Sequence, residues 1–139
     1  MEAERESHMA HIFISYSRRD AAYARKLADS LLERGFDVWF DEQIEYGQNW
    51  EQAIFRAIDA CAAFVVIMTP DSAASEWVQR ENAYAERRKK PIYPLLLAGE
   101  EFPRYILTQY VNVVGGALPS DEFYERLAEH NPRPPPRGT

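Results

Sequence analysis

Apolar and polar positions along the chain alternate between two periods. His11-Ile12-Phe13-Ile14-Ser15-Tyr16 reads as a short strand. After it, Asp20 is placed to cap a helix that carries Tyr23, Leu27 and Leu31 at i, i+4 spacing. Gly35 ends that helix, since glycine tolerates the left-handed residue a helix terminus needs. Phe36-Asp37-Val38-Trp39-Phe40 is a second strand, followed by a polar loop from Asp41 to Asn49. Asn49 is placed to cap a second helix, with Trp50, Ala53, Ile54, Ala57, Ile58 and Cys61 on one apolar face. Ala63-Phe64-Val65-Val66-Ile67-Met68 is almost unbroken hydrophobe and predicts a central strand covered on both sides. Thr69-Pro70 breaks it, and Ser75 caps a third helix from Glu76 to about Arg88, stopped by Pro91. Ile92-Tyr93-Pro94-Leu95-Leu96-Leu97 is a fourth strand, and its proline places it near an edge or at a bulge. Glu101 to Thr108 suggests a short helix, Val111 to Val114 a fifth strand closed by Gly115-Gly116. A last helix opens at Ser120 or Asp121, with Phe123, Tyr124 and Leu127 facing inward.

Strands alternating with helices through short loops imply right-handed crossovers and a doubly wound parallel sheet. Ligands of such sheets bind beyond the carboxyl ends of the strands, where the strand order reverses. Three segments gather there: Ser15 to Arg18, Asp41 to Asn49, and Thr69 to Ser75 with the start of the following helix.

Composition narrows the reading. The 139 residues suit one domain and need no covalent staple. A net charge of −6 argues against nucleic acid or an anionic membrane surface as the main partner, with Arg87-Arg88-Lys89-Lys90 one candidate for a local basic patch. The single cysteine, Cys61, sits among apolar residues as a buried small side chain and allows no internal disulfide, which suits a reducing, cytoplasmic setting. Residues 1–10 are polar and acidic, without the apolar stretch of a signal peptide, and read as a leader. Residues 11–129 form the domain, and the Pro/Arg-rich residues 130–139 read as a linker.

Most familiar chemistries fall away. Tyr16-Ser17-Arg18-Arg19-Asp20 contains no glycine, so no phosphate-cradling loop follows the first strand. His8, His11 and His130 have neither metal nor triad spacing, and no metal is expected. Ser15-Tyr16-Ser17 supplies no acidic cluster for a phosphoacceptor. What remains is Trp77 and Glu81, four apart and so on one helix face, in the first two turns of a helix whose start faces the crevice. A ring beside a carboxylate can stack a planar base, and the carboxylate can stabilise an oxocarbenium-like transition state at a glycosidic carbon. The same pair also admits a structural reading, Trp77 as core and Glu81 paired with Arg80 or Arg88. Ser17-Arg18-Arg19 likewise reads as a phosphate contact or as a solvated turn.

Four boxes in order then resemble the Toll/interleukin-1 receptor (TIR) domain family. They are Phe13-Ile14-Ser15-Tyr16-Ser17 with Asp20; Gly35-Phe36-Asp37-Val38-Trp39-Phe40-Asp41; Ser75-x-Trp77-x-x-x-Glu81; and Phe123-Tyr124-x-x-Leu127. The resemblance runs from about His11 to Glu129. It implies a flavodoxin-like three-layer α/β sandwich with a five-stranded parallel sheet. It also implies one of two functions: cleavage of the nicotinamide–ribose bond of NAD+ by hydrolysis or cyclisation, or a non-catalytic adaptor working by TIR–TIR association. NAD+ would be substrate, with no prosthetic group, and other TIR domains the macromolecular partners. By position, Glu81 would be the catalytic carboxylate and Trp77 would line its cleft. Tyr16, Ser17 and Arg18 would border the nicotinamide mononucleotide half. Asp41 to Trp50, including Asp41, Glu45 and Trp50, would form the loop over the cleft, with Gln43, Ile44, Tyr46 and Gly47 as the association loop. Tyr46 stands where adaptor members carry proline, and Val78 where plant members carry cysteine. Those departures and the Pro-rich tail resemble the bacterial, NAD-cleaving members, as modules of defence or immune-type signalling.

Overall fold

The computed structural model describes residues 10–40 and 50–130. Along the chain run β1 (His11–Ser15), a 3-10 turn (Arg18–Asp20), α1 (Ala21–Glu33), β2 (Asp37–Trp39), α2 (Trp50–Ala60), β3 (Cys61–Met68) and α3 (Pro70–Ala74). There follow α4 (Glu76–Arg87), β4 (Ile92–Leu96), a second 3-10 turn (Pro103–Tyr105), β5 (Val111–Asn112) and α5 (Asp121–His130). The five strands are parallel in the order β2-β1-β3-β4-β5, the flavodoxin-like α/β arrangement, whose switch point lies between β1 and β3.

The alternation of side chains along each strand divides the core into two layers. Ile12, Ile14 and Tyr16 join Ala63, Val65, Ile67 and Leu95 beneath Leu27 and Leu31 of α1 and Phe123, Tyr124 and Leu127 of α5. Phe13 joins Phe64, Val66, Met68 and Leu96 beneath Ile54 and Ile58 of α2 and Val78 and Ala85 of α4. β3 is buried on both faces, which is why its sequence is a continuous apolar run and not an alternating one.

Local signals set most boundaries. Gly35 adopts φ +94° just past α1, and the Ser75 hydroxyl accepts from Val78 N at 3.2 Å to cap α4. Other expectations need correction. Asp20 makes no capping bond to α1. The 3-10 turn runs straight into that helix, Ser17 caps the turn, and the Asp20 carboxylate instead accepts from Thr69 Oγ1 at 2.6 Å. Thr69-Pro70 does more than break β3, because Thr69 and Ser72 form a reciprocal capping box that opens the short α3. Cys61 begins β3 and is not on the helix, Ala53 is exposed, and the stretch 101–108 contributes only a 3-10 turn. Pro94 makes no bulge. The edge half of that expectation holds: β4 lies next to the edge strand β5, which pairs only with Leu95 and Leu96, so Pro94 faces the open stretch where no ladder donor is required.

The basic run is largely consumed by the fold. Arg88 meets Asp59 at 2.8 Å, and the Lys90 ammonium donates to the carbonyls of Asp59 and Cys61 at 2.7 and 3.2 Å. These cations sit at the carbonyl end of α2, where the helix dipole favours them. Burial pushes the Cys61 thiol up to about 11, so it stays a neutral packing group.

Candidate active site

Glu81 occupies the second turn of α4, and its side chain is turned toward the sheet. It is 2% exposed, and its Oε1 accepts from Ser15 Oγ at 2.7 Å. Ser15 is the last residue of β1, so the carboxyl group lies at the carboxyl end of that strand, beside the switch point. The position follows from the pleat: Ser15 lies on the same side as Phe13, which is the side α4 covers. Isolating an ionised carboxylate from water costs roughly several kcal/mol unless hydrogen bonds offset it, so its burial calls for partners.

Next to it, Asn82 is fully buried. Its amide nitrogen donates to Val78 O at 2.8 Å and faces Ser15 Oγ at 3.5 Å, and its carbonyl oxygen accepts from Tyr105 OH at 2.6 Å. Ser15, Asn82 and Tyr105 were not among the site residues expected from sequence. Two of them leave a trace there. Ser15 is a polar end to an apolar strand, and Asn82 interrupts the buried stripe of Val78 and Ala85. Tyr105, a turn residue after β4, leaves none.

Trp77 faces α2 instead of the sheet. Its ring lies 4.7 Å from that of Trp50 and 5.6 Å from that of Phe55, and the Arg80 guanidinium sits 4.9 Å from its centroid. Its indole N–H is buried without a hydrogen-bond partner among the described residues. Trp50 and Trp77 are thus brought together, both half-buried.

The residues after β1 divide. Tyr16 packs on the α1 side of the sheet, its ring 5.3 Å from Phe40, so the pleat turns it away from the side that holds Glu81. Ser17 is half-buried as the cap of the 3-10 turn, and Arg18 is exposed on that turn. Asp41, Gln43, Ile44, Glu45, Tyr46 and Gly47 lie outside the described residues, as does Asn49. Among the described residues, no group of three or more His, Cys, Asp or Glu could hold a metal ion, and no helix is long and apolar enough to cross a membrane.

The loops after β1 and β3 are tied to each other across the switch point. Thr69 Oγ1 donates to Asp20, and Thr69 N donates to Ser72 Oγ at 2.8 Å. This pairing fixes the two loops to each other without using Glu81.

Comparison with known proteins agrees with the arrangement. A family model described as the TIR domain matches residues 12–128. The chain is 29% identical over 101 residues to the NAD(+) hydrolase tir-1 of Caenorhabditis elegans, covering 66% of this chain and 10% of that protein. It is 31% identical over 102 residues to the stimulator of interferon genes protein of Magallana gigas, covering 68% of this chain and 25% of that protein. The match therefore spans only a small part of either curated relative. Among solved structures, the TIR domain of the Toll-related receptor TRR-2 from Hydra magnipapillata superposes with a TM-score of 0.69 at 16% identity, covering 84% of this chain and 96% of that one. At that identity the likeness establishes the fold.

Proposed function

The chain belongs to the TIR domain family, and from that premise we propose that it cleaves the N-glycosidic bond between nicotinamide and ribose in NAD+, with Glu81 as the reacting carboxylate. The observation that carries the reading is the carboxyl group of Glu81, 2% exposed and held by Ser15 at the carboxyl end of β1. A carboxylate is buried at a ligand crevice at a cost to stability, and a structural role would be served as well by an apolar residue. The name of the Caenorhabditis elegans relative supports the same activity.

The chemistry balances simply. The bond from ribose C1′ to the pyridinium nitrogen breaks, and its electron pair goes to the nitrogen, releasing neutral nicotinamide. C1′ becomes oxocarbenium-like, and the Glu81 carboxylate stabilises its positive charge in a low-dielectric site. Water then adds at C1′ and loses a proton, giving ADP-ribose; attack by a nucleophile of the same ADP-ribosyl group gives a cyclic product. In this reading the paired rings of Trp77 and Trp50 offer the substrate an aromatic surface, and the buried indole N–H of Trp77 is a donor that it can satisfy. On the same reading Ser17 and Arg18, on the turn after β1, contact the nucleotide side of the substrate. Assembly of TIR domains completes the site, in a bacterial defence or immune-type signalling setting.

Nicotinamide release, followed under conditions that promote assembly, tests the reading. The parent should turn over NAD+ and Glu81→Ala should not. Equal rates for the two would remove Glu81 from the mechanism.

A second reading, association without catalysis, draws on a different observation. Around the edge strand β5, Ile106, Leu107, Tyr110 and Val114 are exposed, Leu107 to 97%. Apolar side chains grouped at a sheet edge suit a partner surface. This reading predicts no NAD+ turnover at any concentration, and loss of self-association in Leu107→Asp.

A further inference from the structure

Two residues that the proposed chemistry does not use, Asn82 and Tyr105, are buried in a row of hydrogen bonds that ends on Glu81. The row crosses three elements. Tyr105 OH donates to Asn82 Oδ1 at 2.6 Å, Asn82 Nδ2 faces Ser15 Oγ at 3.5 Å, and Ser15 Oγ donates to Glu81 Oε1 at 2.7 Å.

Chemistry fixes the direction of each bond. A carbonyl only accepts, so Val78 O, 2.8 Å away, holds the nitrogen end of the Asn82 amide on its side and leaves Oδ1 toward Tyr105. Oδ1 can only accept, so the Tyr105 hydroxyl is the donor, and burial pushes its pKa upward and keeps its proton in place. Nδ2 can only donate, so the lone pair of Ser15 that faces it is occupied. Ser15 has one proton, and Glu81 Oε1 receives it. Every donor in the row points the same way, toward the carboxyl group. A carboxylate that accepts such bonds is favoured over the neutral acid, against the opposing effect of burial.

We propose that Tyr105 and Asn82 are positioning residues for Glu81, forming with Ser15 a one-way donor chain that holds the carboxyl group ionised and in a fixed rotamer at the crevice. The function assigned to the chain rests on the NAD-cleaving reading; its effect on Glu81 does not. Removal of the Tyr105 hydroxyl leaves a buried Asn82 oxygen unpaired and the amide without its anchor on that side, so the Asn82 N–H that faces Ser15 is no longer held in place.

The test uses the full 139-residue chain as the parent and as Tyr105→Phe, Ser15→Ala and the double variant, each removing only a hydroxyl. Under assembly conditions Tyr105→Phe should lower kcat about tenfold and leave KM within about twofold. Ser15→Ala should lower kcat further, and the double variant should match Ser15→Ala alone, because Tyr105 acts through Ser15. Losses that multiply, or that fall on KM, overturn the proposal. A second measurement needs no turnover. With 13C-labelled glutamate, and Glu81→Gln to assign the resonance, the Glu81 carboxyl carbon is followed by NMR against pH. Its midpoint should lie higher in Tyr105→Phe and in Ser15→Ala than in the parent, and an unmoved midpoint overturns the chain. If the midpoint moves while no protein releases nicotinamide, the donor chain stands and the NAD-cleaving reading is the one that fails.

Discussion

The two sides of the sheet are built from the same periodic pattern and serve different ends. On the α1 and α5 side, strand residues Ile12, Ile14, Val65 and Ile67 meet Leu27, Leu31 and Leu127 in an apolar layer. Its polar groups are paired locally: the hydroxyls of Ser30 and Tyr124 lie 2.8 Å apart, and Tyr23 donates to Ala117 O at 2.8 Å. On the α2 and α4 side the layer is apolar near Phe13, Phe64 and Ile58, then at the carboxyl end of β1 it admits Ser15, Glu81, Asn82 and Tyr105. Among the described residues, the second side leaves a buried donor, the Trp77 indole N–H, unpaired, and it alone buries a carboxyl group. A core has no need of one, since an apolar residue of similar volume is as stable or more so. Under the proposed function, the difference separates a side kept for stability from a side whose rim serves the chemistry.

Substitutions on each side can break that contrast. The largest effect is expected at the rim. Glu81→Gln keeps the volume and an acceptor for Ser15, so it should lower the rate of nicotinamide release about a thousandfold, ~4 kcal/mol of barrier. Its melting temperature should hold or rise, because a buried carboxyl group has been removed. A matching loss of stability would make Glu81 a structural residue. On the opposite side, Leu27→Ala should cost ~3 kcal/mol in urea unfolding through the cavity it opens. The activity of the folded fraction should stay at the parent level, and a specific loss of activity would mean that the two sides are coupled.

Smaller effects sharpen the comparison. Tyr124→Phe removes one partner of a buried hydroxyl pair and should cost ~1 kcal/mol, read as a shift in the urea midpoint. It is the counterpart of Tyr105→Phe on the other side: one phenol serves the core and the other the carboxyl group, so only the second should alter turnover. The smallest effect is at the base of α4. The Arg88 to Asp59 pair is half-exposed, so Arg88→Ala should cost less than ~1 kcal/mol, and less still in high salt.

Several features were legible because their causes are local. Ser75 caps α4, Gly35 ends α1, and the apolar run of β3 marks a strand covered on both faces. The place of Glu81 at the carboxyl-end side of the sheet also followed from sequence, since the start of α4 comes just after β3 and its short sequel α3. Features that depend on distant partners were not legible. The capping assigned to Asp20 failed because Thr69, 49 residues away, binds its carboxylate. The basic run Arg87 to Lys90 read as a surface patch until the end of α2 drew in Arg88 and Lys90. Tyr16 and Ser15 are neighbours in sequence, and the pleat sends them to opposite sides of the sheet.

By itself, the sequence determined the five strands and the helices α1, α2, α4 and α5 in their order, the parallel sheet and the two helix turns that carry Trp77 and Glu81. Periodicity, caps and glycines act within a few residues, and those determinants are written consecutively. Only the tertiary structure decided that Glu81 turns to the sheet while Trp77 turns to α2, that Ser15 is the donor to the carboxyl group, and that Tyr105 stands behind it through Asn82. Those contacts span 66 and 23 residues, and they exist because helix docking and strand register bring three elements to one point. A hydrogen bond forms over about 3 Å, a distance that no periodicity along the chain specifies.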